Sequence, residues 1–527
     1  MAFSGTLTTF VYDIIGLGFG PANLAVAGAL LEQPRETCPV SVNKSLFIER
    51  YHEFKWHPGM LLPGTRMQIS FLKDLATLRS PQSPITFIAY LHSQNRLVDF
   101  INRGSTSPTR KEYADYLAYV ARYVQDQGIK VAYGENVIAI EEEGEGIVQV
   151  HSMVLITGEI RVRRARNLII SPGGSPWVPR SIQAILPHPR IIHTAQYLSS
   201  VEPMLAMTEA ITRSLKIAVV GAGQSAVEVL LDLHSRLTSM GKSAGKAHNL
   251  HLIIRGGSLK SSDGGPFANQ AYNPEFTDVL YNLPSDPRRK VLADYKGTNY
   301  GAVNPRTLDS LYEVMYDQQV DGSIARRKGN KLSVTSTRIN IIPYSNLSSA
   351  EITTHPSQIS RETDTLSIIL ENTLTHDVSE TTYDAIVCAT GYERHSWLDL
   401  LKSSNIGKRF GLSATSDKTC LAVEHDFGAA VDGDFGPAVN GRNGHLDMWS
   451  KAEGIHMPRT LSESKVSDTL YISRSYRLLP LPTTGRGFVP NIYLQGCAEE
   501  THGLSETLLS VAGVRAGEIV EDLCSNY

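Results

Sequence analysis

Asp13-Ile14-Ile15-Gly16-Leu17-Gly18-Phe19-Gly20-Pro21 and, far downstream, Lys216-Ile217-Ala218-Val219-Val220-Gly221-Ala222-Gly223-Gln224-Ser225-Ala226 decide the reading of this chain. Each is an apolar run that enters a glycine turn and continues into a helix-forming stretch, alanine-rich Ala22–Leu31 in the first case and amphipathic Val227–Leu237 in the second. Glycines at such turns let the backbone approach a pyrophosphate, whose charge then rests on the free N–H groups opening the next helix. One such turn is weak evidence. Two, each framed by strand and helix, imply a flavin and a nicotinamide arranged for hydride transfer. Gly16, Gly18, Gly20 and Pro21 form the first candidate cradle.

The 527 residues exceed one compact core, so two or three domains are expected. A composition of 42% hydrophobic and 20% charged residues is that of an ordinary soluble protein, and a net charge of −3 gives no reason to expect nucleic acid or an anionic membrane as partner. Cys38, Cys388, Cys420, Cys497 and Cys524 are few, odd in number and far apart, with no Cys-x-x-Cys pair. A disulfide scaffold, a structural zinc and a dithiol redox centre therefore lack support, and His52 and His57 have no Cys or carboxylate grouping at metal-ligand spacing. A reducing cytosol is the simplest compartment, so the expected location is cytoplasmic. Ile14–Leu31 is mostly apolar, but Gly16, Gly18, Gly20, Pro21 and Asn23 interrupt it and no basic segment precedes it. Strand, turn and helix suit it better than a signal peptide or a membrane span. Cys524–Tyr527 matches no peroxisomal or retention address.

Leu46–Glu49 reads as the second strand of the first unit, with Glu49 where adenosine ribose hydroxyls are usually held. Tyr51–Pro84 lacks periodicity and reads as a long ordered loop. Tyr113, Tyr116, Leu117, Val120, Tyr123 and Val124 share one stripe of a helix spanning Tyr113–Gln127. Val137–Glu142 and Ile147–Val154 alternate like strands, Arg166–Ser171 is a short buried one, and Leu250–Ile254 is the second strand of the second unit. That strand ends in Arg255; a cation there suits a 2′-phosphate and favours NADPH over NADH, against the alternative of a solvated strand end. Leu366–Leu370 is a further strand. Tyr383–Tyr392, an apolar strand followed by Ala389-Thr390-Gly391, reads as the return to the first nucleotide fold. The expected fold class is α/β, with two Rossmann-like dinucleotide-binding domains, the second inserted in the first, and a small mostly helical substrate-binding region. The expected boundaries are 11–205 and 383–527 for the FAD domain and 206–382 for the NADPH domain, which carries the helical region at 266–330. The aperiodic 414–468 is expected to be a loop or insertion.

Lys55–Met60 and Gly64–Leu75 are the most distinctive stretches. Here the chain resembles the flavin-dependent N-hydroxylating monooxygenases of siderophore biosynthesis, in particular the fungal L-ornithine N5-monooxygenases. The resemblance runs from Asp13 to about Glu518. Its markers are Gly18–Leu24, Trp56-His57, Met67–Arg79, Gly221–Ala226, Phe267–Asn269, Thr298–Tyr300, Ala389–Tyr392, Thr501–Ser505 and Leu508–Val511. Together they are highly specific, and none would be alone.

The resemblance implies that Glu49, Arg50, Tyr51, His52, Glu53, Phe54, Lys55, Trp56, His57 and Gln68 line the flavin, with Val137 from an adjoining strand and Thr507, Leu508 and Leu509 closing over it. Ala222, Gly223, Gln224 and Ser225 would form the NADP phosphate turn, Arg255 the 2′-phosphate partner, and Asn299, Tyr300 and Gly301 the nicotinamide-side contacts. Lys73 and Asn269 would hold the ornithine carboxylate, Asn299 its α-amino group, and Ser510 would complete the pocket, with Gln270, Ala271 and Tyr272 on the same wall. No catalytic side chain is assigned, because the flavin carries the chemistry: reduced by NADPH, it takes up O2 to give a C4a-hydroperoxide whose distal oxygen the free amine attacks. The implied partners are L-ornithine and O2, and the implied assembly is a homo-oligomer, a tetramer by resemblance.

Read singly, the residues allow other roles. Lys73 fits a surface lysine lying along apolar neighbours, Asn269 a turn cap near Gly264-Gly265-Pro266, and Ser510 helix-interior packing. Gln270-Ala271-Tyr272 replaces a more acidic, bulkier run of the fungal relatives, and Glu506-Thr507 replaces Asp-Ser. The nearest alternative is the same reaction on L-lysine or another diamine, since one methylene separates homologues by only ~1–3 kcal/mol. A flavin disulfide reductase is opposed by the missing cysteine pair. A non-catalytic nucleotide-binding relative would predict a disrupted amino-acid pocket, yet Lys73, Asn269, Asn299 and Ser510 are all present.

Overall fold

The computed structural model describes residues 6–34, 36, 38–208, 213–244, 247–328, 337–353, 365–413, 418–426, 468–481 and 490–527. Its first sheet is built on the strand Thr6–Leu17, whose continuous apolar run suits a parallel strand covered on both faces. It lies parallel to Ser45–Glu49 on one side and Ile160–Ile170 on the other, and Lys130–Tyr133 extends the sheet beyond Ser45–Glu49. The strand expected at Arg166–Ser171 is the end of this longer Ile160–Ile170. Its first half pairs antiparallel with Ile147–Val154, which pairs in turn with Glu135–Gly144, and its second half pairs parallel with Asn491–Leu494. The helix Pro21–Leu31 opens on a proline at its first position, where a missing N–H costs nothing, and is buried from Asn23 to Leu30. The stripe expected around Tyr113 lies on the helix Arg110–Asp126, capped by Thr109, with Tyr113, Tyr116, Leu117, Val120 and Val124 buried.

The second sheet is wholly parallel, in the order Arg338–Ile342, Asn249–Ile253, Lys216–Val220, Ala385–Cys388, Ile191–His193. This corrects two expectations. Tyr383–Tyr392 does not return to the first fold: its strand, Ala385–Cys388, lies beside Lys216–Val220. The physical reason is at the glycine turn. Gly221 has φ +138°, and a Cβ there would stand 2.3 Å from the carbonyl oxygen of Ala389, so the turn closes onto the end of that strand. The strand that does return is Asn491–Leu494. Likewise Ile191–His193, expected within the first domain, belongs to the second sheet, and the helix Tyr197–Ala206 packs on the second core through Tyr197, Val201, Met204 and Leu205. The chain thus crosses between sheets after Ser171. The outgoing and returning connections run side by side, with Ser175–Pro176 antiparallel to Tyr392–Glu393 and Trp177 N–H donating to the Gly391 carbonyl at 2.9 Å.

Leu366–Leu370 lies in Thr365–Asn372, the middle strand of an antiparallel sheet with Ser345–Thr353 and Val378–Tyr383. Residues 266–330 supply the helices Pro274–Asn282, Ser285–Asn299 and Pro305–Arg327. Within 414–468, expected as a loop or insertion, Thr419–Val423 is a strand parallel to Asp468–Ile472, while 427–467 lie outside the described residues. Cys38 and Cys524, far apart in the chain, form a disulfide with an S–S distance of 1.93 Å, against the expectation of unlinked cysteines. The C-terminal helix Ala512–Ser525 packs on Pro21–Leu31 and carries Cys524 to Cys38, a meeting that chain spacing does not encode. Among the described residues no helix is long and apolar enough to cross a membrane, and no group of three His, Cys, Asp or Glu side chains could hold a metal ion.

A largely buried ion pair helps tie the two halves together. Arg110 donates to both oxygens of Glu228, at 2.7 and 3.0 Å, with the two side chains 15% and 6% exposed. Burial raises the Glu228 pKa, and Arg110 and Gln224 oppose that shift. Glu228→Ala leaves the Arg110 guanidinium buried with only the Met60 carbonyl at 3.3 Å, and is expected to cost about 3 kcal/mol in urea unfolding. The Arg110→Ala/Glu228→Ala double variant should lose less than the two single losses together.

His502 gives a second prediction. Its ring is fully buried, stacks on Tyr476 at 4.2 Å, and engages Thr501 Oγ1 at 2.9 Å and the Arg474 carbonyl at 3.2 Å. Burial, with the Arg474 cation adding to it, lowers its pKa from 6.5 to about 3. The folded chain therefore keeps this ring neutral where the unfolded chain binds a proton. Stability is lost as pH falls from about 6.5 toward about 3 and is insensitive to this group above that window. Urea midpoints of wild type and His502→Gln at pH 7 and pH 4.5 should show the smaller acid loss in the variant.

Candidate active site

A cleft of 1920 Å³ opens where the two sheets face each other across the connecting ribbon. Its floor begins at the first glycine turn. Gly18 has φ +85°, and a Cβ there would stand 2.6 Å from the Ser171 carbonyl, so only glycine lets the turn lie on that strand end. Gly20, Pro21 and Ala22 line the cleft at the first turn of a helix, where N–H groups lack intrahelical partners, and nothing lies within 4 Å of a Cβ built on Gly20. Gly16 is instead buried in the strand, against the ring of Phe47. Glu49 is already bonded: its carboxylate accepts the N–H of Phe19 at 2.8 Å and of Tyr51 at 3.0 Å, which draws the turn to the end of the second strand.

Beneath that floor runs a buried polar chain. Asn23 donates to the Gly18 carbonyl at 2.8 Å and accepts from Ser171 and from Gln495, each at 3.0 Å. Gln495 accepts from Arg515 Nε at 3.2 Å, and Arg515 pairs with Glu506 at 3.1 Å. Glu506 also accepts the N–H groups of Gly496 at 2.6 Å and Ala498 at 3.0 Å. Sequence reading noted Glu506 only as a departure from Asp and missed Arg515, Gln495 and Arg394; the last donates to the carbonyls of Gly496 at 3.3 Å and Thr507 at 3.2 Å and lines the cleft. Thr507, Leu508, Leu509 and Ser510 follow on the same wall. Ser510 is 3% exposed, and its hydroxyl is buried with no hydrogen-bond partner among the described residues. A satisfied core serine would have one.

Trp56, His57, Gln68 and Lys73 lie on the facing wall. His57 sits at φ +42°, and desolvation in the cleft, with the Arg110 and Arg394 cations adding to it, lowers its pKa to about 4, so its imidazole is neutral near pH 7. The loop carrying Gln68 and Lys73 is irregular yet pinned. Met67 and Phe71 N–H groups donate to Pro108 and Thr106 at 2.9 Å, and the buried Asp74 carboxylate accepts N–H groups from Ala76, Thr77 and Phe87 at 2.6–2.9 Å. Lys73 is half-buried with no carboxylate partner among the described residues, and desolvation lowers its pKa from 10.5.

The helical region brings Asn269, Tyr272, Thr298 and Asn299 to the cleft. Asn269 is exposed and donates to the Gly264 carbonyl at 2.9 Å, so it caps its turn and still borders the cavity. Tyr272 OH bonds Thr298 Oγ1 at 2.5 Å. Tyr300 reaches across to Glu499 at 2.5 Å and Thr507 at 3.1 Å. At the second turn Gln224 lines the cleft and accepts the Asn304 N–H at 2.7 Å, while Gly223 abuts Gly301, 3.9 Å from its would-be Cβ. Ala222 and Ser225 flank them on the same turn.

Other expected residues stand off the cleft wall. Arg50 lies over the Tyr51 ring, Lys55 pairs with Glu53 at the surface, and His52 packs against Gly134. Phe54 packs edge-on against Phe19, and Val137 against the first core. Gln270 points to solvent and Ala271 is buried. Arg255 is exposed at the end of its strand, clear of the cleft wall.

The family model for L-lysine 6-monooxygenase/L-ornithine 5-monooxygenase matches residues 10–394. The chain is 48% identical to an L-ornithine N(5)-monooxygenase of Ceriporiopsis subvermispora, over 98% of each chain. It is 33% identical to that of Pseudomonas aeruginosa, over 98% of this chain and 94% of the other. Among solved structures it resembles the ornithine hydroxylase PvdA of Pseudomonas aeruginosa, with TM-score 0.72 and 30% identity over 98% and 99% of the two chains. It also resembles the ornithine N-hydroxylase KtzI of Kutzneria sp. 744 in its complex with reduced FAD, NADP+ and L-ornithine, with TM-score 0.73 and 26% identity over the same shares. Two glycine turns on two parallel sheets, a cleft between them and this likeness along nearly the whole chain lead to one conclusion: the chain belongs to the L-lysine 6-monooxygenase/L-ornithine 5-monooxygenase family.

Proposed function

We propose that this chain is a flavin monooxygenase that uses NADPH and O2 to hydroxylate the side-chain nitrogen of L-ornithine, giving N5-hydroxy-L-ornithine, the first step of hydroxamate siderophore biosynthesis. The observation that carries this reading is the pairing, in one cleft, of a lysine without a counter-ion and a buried serine hydroxyl without a partner. Both are costly unless a ligand completes them, and an amino acid's carboxylate and α-ammonium do so. Lys73 and Asn269 take the carboxylate, Asn299 the α-amino group, and Ser510 closes the pocket. Gly18–Ala22 would hold FAD and Ala222–Ser225 NADPH, with Arg255 toward its 2′-phosphate and Asn299–Gly301 toward its nicotinamide end. The residues fit both groups: Gly20 leaves open space at a helix start, and at the second turn Gly223 meets only the Cα of Gly301, a residue with open space at its own Cβ position. When bound, FAD reduced by NADPH turns O2 into the electrophilic oxygen donor.

The protein supplies position and protonation state. The substrate nitrogen reacts only as a free amine, since an ammonium has no lone pair. The desolvation that lowers the Lys73 pKa acts on a substrate ammonium in the same way, and the Lys73 and Arg394 cations disfavour a further positive charge nearby. Neutral His57 adds no competing proton donor of ammonium strength. The FAD-binding part is read as 11–171 with 396–527, and the NADPH-binding part as 191–389 with its helical region at 266–330. The need for reduced nicotinamide suits the cytoplasm, and the enzyme is read as a homo-oligomer.

FAD-loaded enzyme given NADPH with equal L-ornithine and L-lysine is expected to yield mainly N5-hydroxyornithine by mass spectrometry. Dominant N6-hydroxylysine overturns the substrate assignment, and NADPH oxidation yielding only hydrogen peroxide overturns both amino acids while leaving the cofactors standing. Lys73→Ala is expected to raise KM for ornithine roughly 10- to 100-fold, the worth of a charged hydrogen bond, with NADPH-dependent flavin reduction unchanged. Ser510→Ala should raise KM by roughly fivefold, as for a neutral hydrogen bond.

A further inference from the structure

Cys38 and Cys524 stand 486 residues apart in the chain, yet their Cα atoms lie 4.9 Å from each other and their sulfurs are joined. That Cα separation lets two thiols join or part with little backbone movement. The need for NADPH in the proposed reaction sets the chain where thiols are kept reduced, and a disulfide there is reversible rather than a permanent staple. The surroundings suit reversal. The buried Asp13 carboxylate accepts the Ser41 N–H at 2.9 Å, three residues beyond Cys38, and the Tyr527 hydroxyl at 2.8 Å, three residues beyond Cys524. One carboxylate thus holds the two segments together whether or not the sulfurs are bonded. Cys524 is partly exposed and Cys38 only 8% exposed, so an oxidant meets Cys524 first and finds Cys38 as the sheltered second thiol. Cys388, Cys420 and Cys497 have no disulfide partner, and burial pushes the Cys388 thiol up to about 12.

The bond fastens the last turn of the helix Ala512–Ser525, and through that helix both sides of the proposed amino-acid pocket. Ala512 lines the cleft beside Ser510. A Cβ on Gly513 would stand 2.8 Å from the Leu75 carbonyl oxygen, and one on Gly517 2.6 Å from Arg79 Cδ. Arg79 Nε donates to the Gly513 carbonyl at 3.2 Å. The helix therefore lies directly on the segment that follows Lys73 and Asp74. A chain terminus frays unless it is tied down, and here the tie is a pair of thiols. We propose that Cys38 and Cys524 are a peroxide-responsive thiol pair, whose oxidation latches the C-terminal helix and with it the walls carrying Ser510 and Lys73. The Cys524 sulfur, as thiolate, attacks one oxygen of hydrogen peroxide; an S–O bond forms, the O–O bond breaks, and the departing hydroxide takes a proton and leaves as water. The Cys38 sulfur then attacks the sulfenic sulfur; the S–S bond forms, the S–O bond breaks, and a second water leaves. Two thiols give up two electrons and peroxide accepts them. Two exchanges with a dithiol reverse the change and leave the reductant as the disulfide. The inference rests on the proposed function for its reducing setting and for a local source of peroxide, the product of NADPH oxidation without hydroxylation.

Full-length, FAD-loaded protein is reduced with dithiothreitol, freed of it, and treated with hydrogen peroxide without NADPH or amino acid, so the result does not depend on what the enzyme hydroxylates. Alkylation and peptide mass spectrometry are expected to show a Cys38–Cys524 cross-link that peroxide forms and dithiothreitol removes. Hydrogen exchange across Gly517–Ser525 is expected to be roughly tenfold faster in the reduced protein than in the oxidised one. Cys524→Ser and Cys38→Ala should each exchange like the reduced protein with or without peroxide, while Cys420→Ser responds as wild type does. A bond that survives dithiothreitol in the folded protein, or thiols that both stay open to alkylation after peroxide, overturns the redox pair. A cross-link that forms and leaves hydrogen exchange unchanged overturns the latch. Failure to make N5-hydroxyornithine would sink the substrate assignment and leave each of these outcomes as decisive as before.

Discussion

Everything in this molecule hangs on two places where a backbone lies on another backbone. Gly18 sits so close to the Ser171 carbonyl, and Gly221 to that of Ala389, that any side chain would intrude to 2.6 and 2.3 Å. Each contact joins a glycine turn to the far end of a neighbouring parallel strand. Just beyond those two carbonyls the chain leaves one sheet for the other, outward after Ser171 and back after Ala389, and the two crossings pair as Ser175–Pro176 with Tyr392–Glu393. The approach that shapes the turns therefore also sets where the sheets are joined. Both crossings lie at the carboxyl ends of parallel strands, where open α/β sheets bind their ligands, and the cleft between them follows.

Holding that cleft in shape falls to polar groups. The chain from Gly18 through Asn23, Ser171, Gln495 and Arg515 to Glu506 is hydrogen-bonded at each link and buried from Asn23 onward. Its Arg515–Glu506 pair is 3% and 1% exposed, a burial whose desolvation cost the Coulomb attraction only offsets with help from the N–H groups of Gly496 and Ala498. Such a network adds little net stability. It gives geometry, because each member has one orientation that satisfies its neighbours, and it ties the segment carrying Thr507–Ser510 to the first glycine turn.

How much of this the sequence discloses depends on range. The two βα units, the Tyr113 stripe and the alternating strands are local patterns, and all are legible. Ile191–His193 is too short to show a period, and the apolar run before Ala389 announces a strand without naming its neighbour, so neither discloses which sheet it joins. Cys38–Cys524, Arg110–Glu228 and Arg515–Glu506 are meetings between distant segments, with no local signal at either end. Among candidate site residues, Lys73, Asn269, Tyr272, Asn299 and Ser510 do share one cleft. Of the run Glu49–His57, Trp56 and His57 border the cavity, while Glu53 and Lys55 pair at the surface.

The proposed selectivity rests on a lysine carried by an irregular stretch of the chain. Tyr51–Pro84 has almost no regular structure, yet the loop around Lys73 is held as firmly as a helix would hold it. Asp74 gathers three N–H groups and the Thr77 hydroxyl on one buried carboxylate, and Met67 and Phe71 are stitched to the segment before Arg110. A hydrophobic pocket distinguishes diamines that differ by a methylene only weakly. A fixed cation does better, because it anchors one end of the substrate at a set distance from the other. With the carboxylate at Lys73 as proposed, the pinned loop would not follow a longer substrate, and the extra methylene of lysine would be taken up by bending rather than by sliding. On that proposal the discrimination would reside in the pinning of an irregular loop by the buried Asp74 carboxylate.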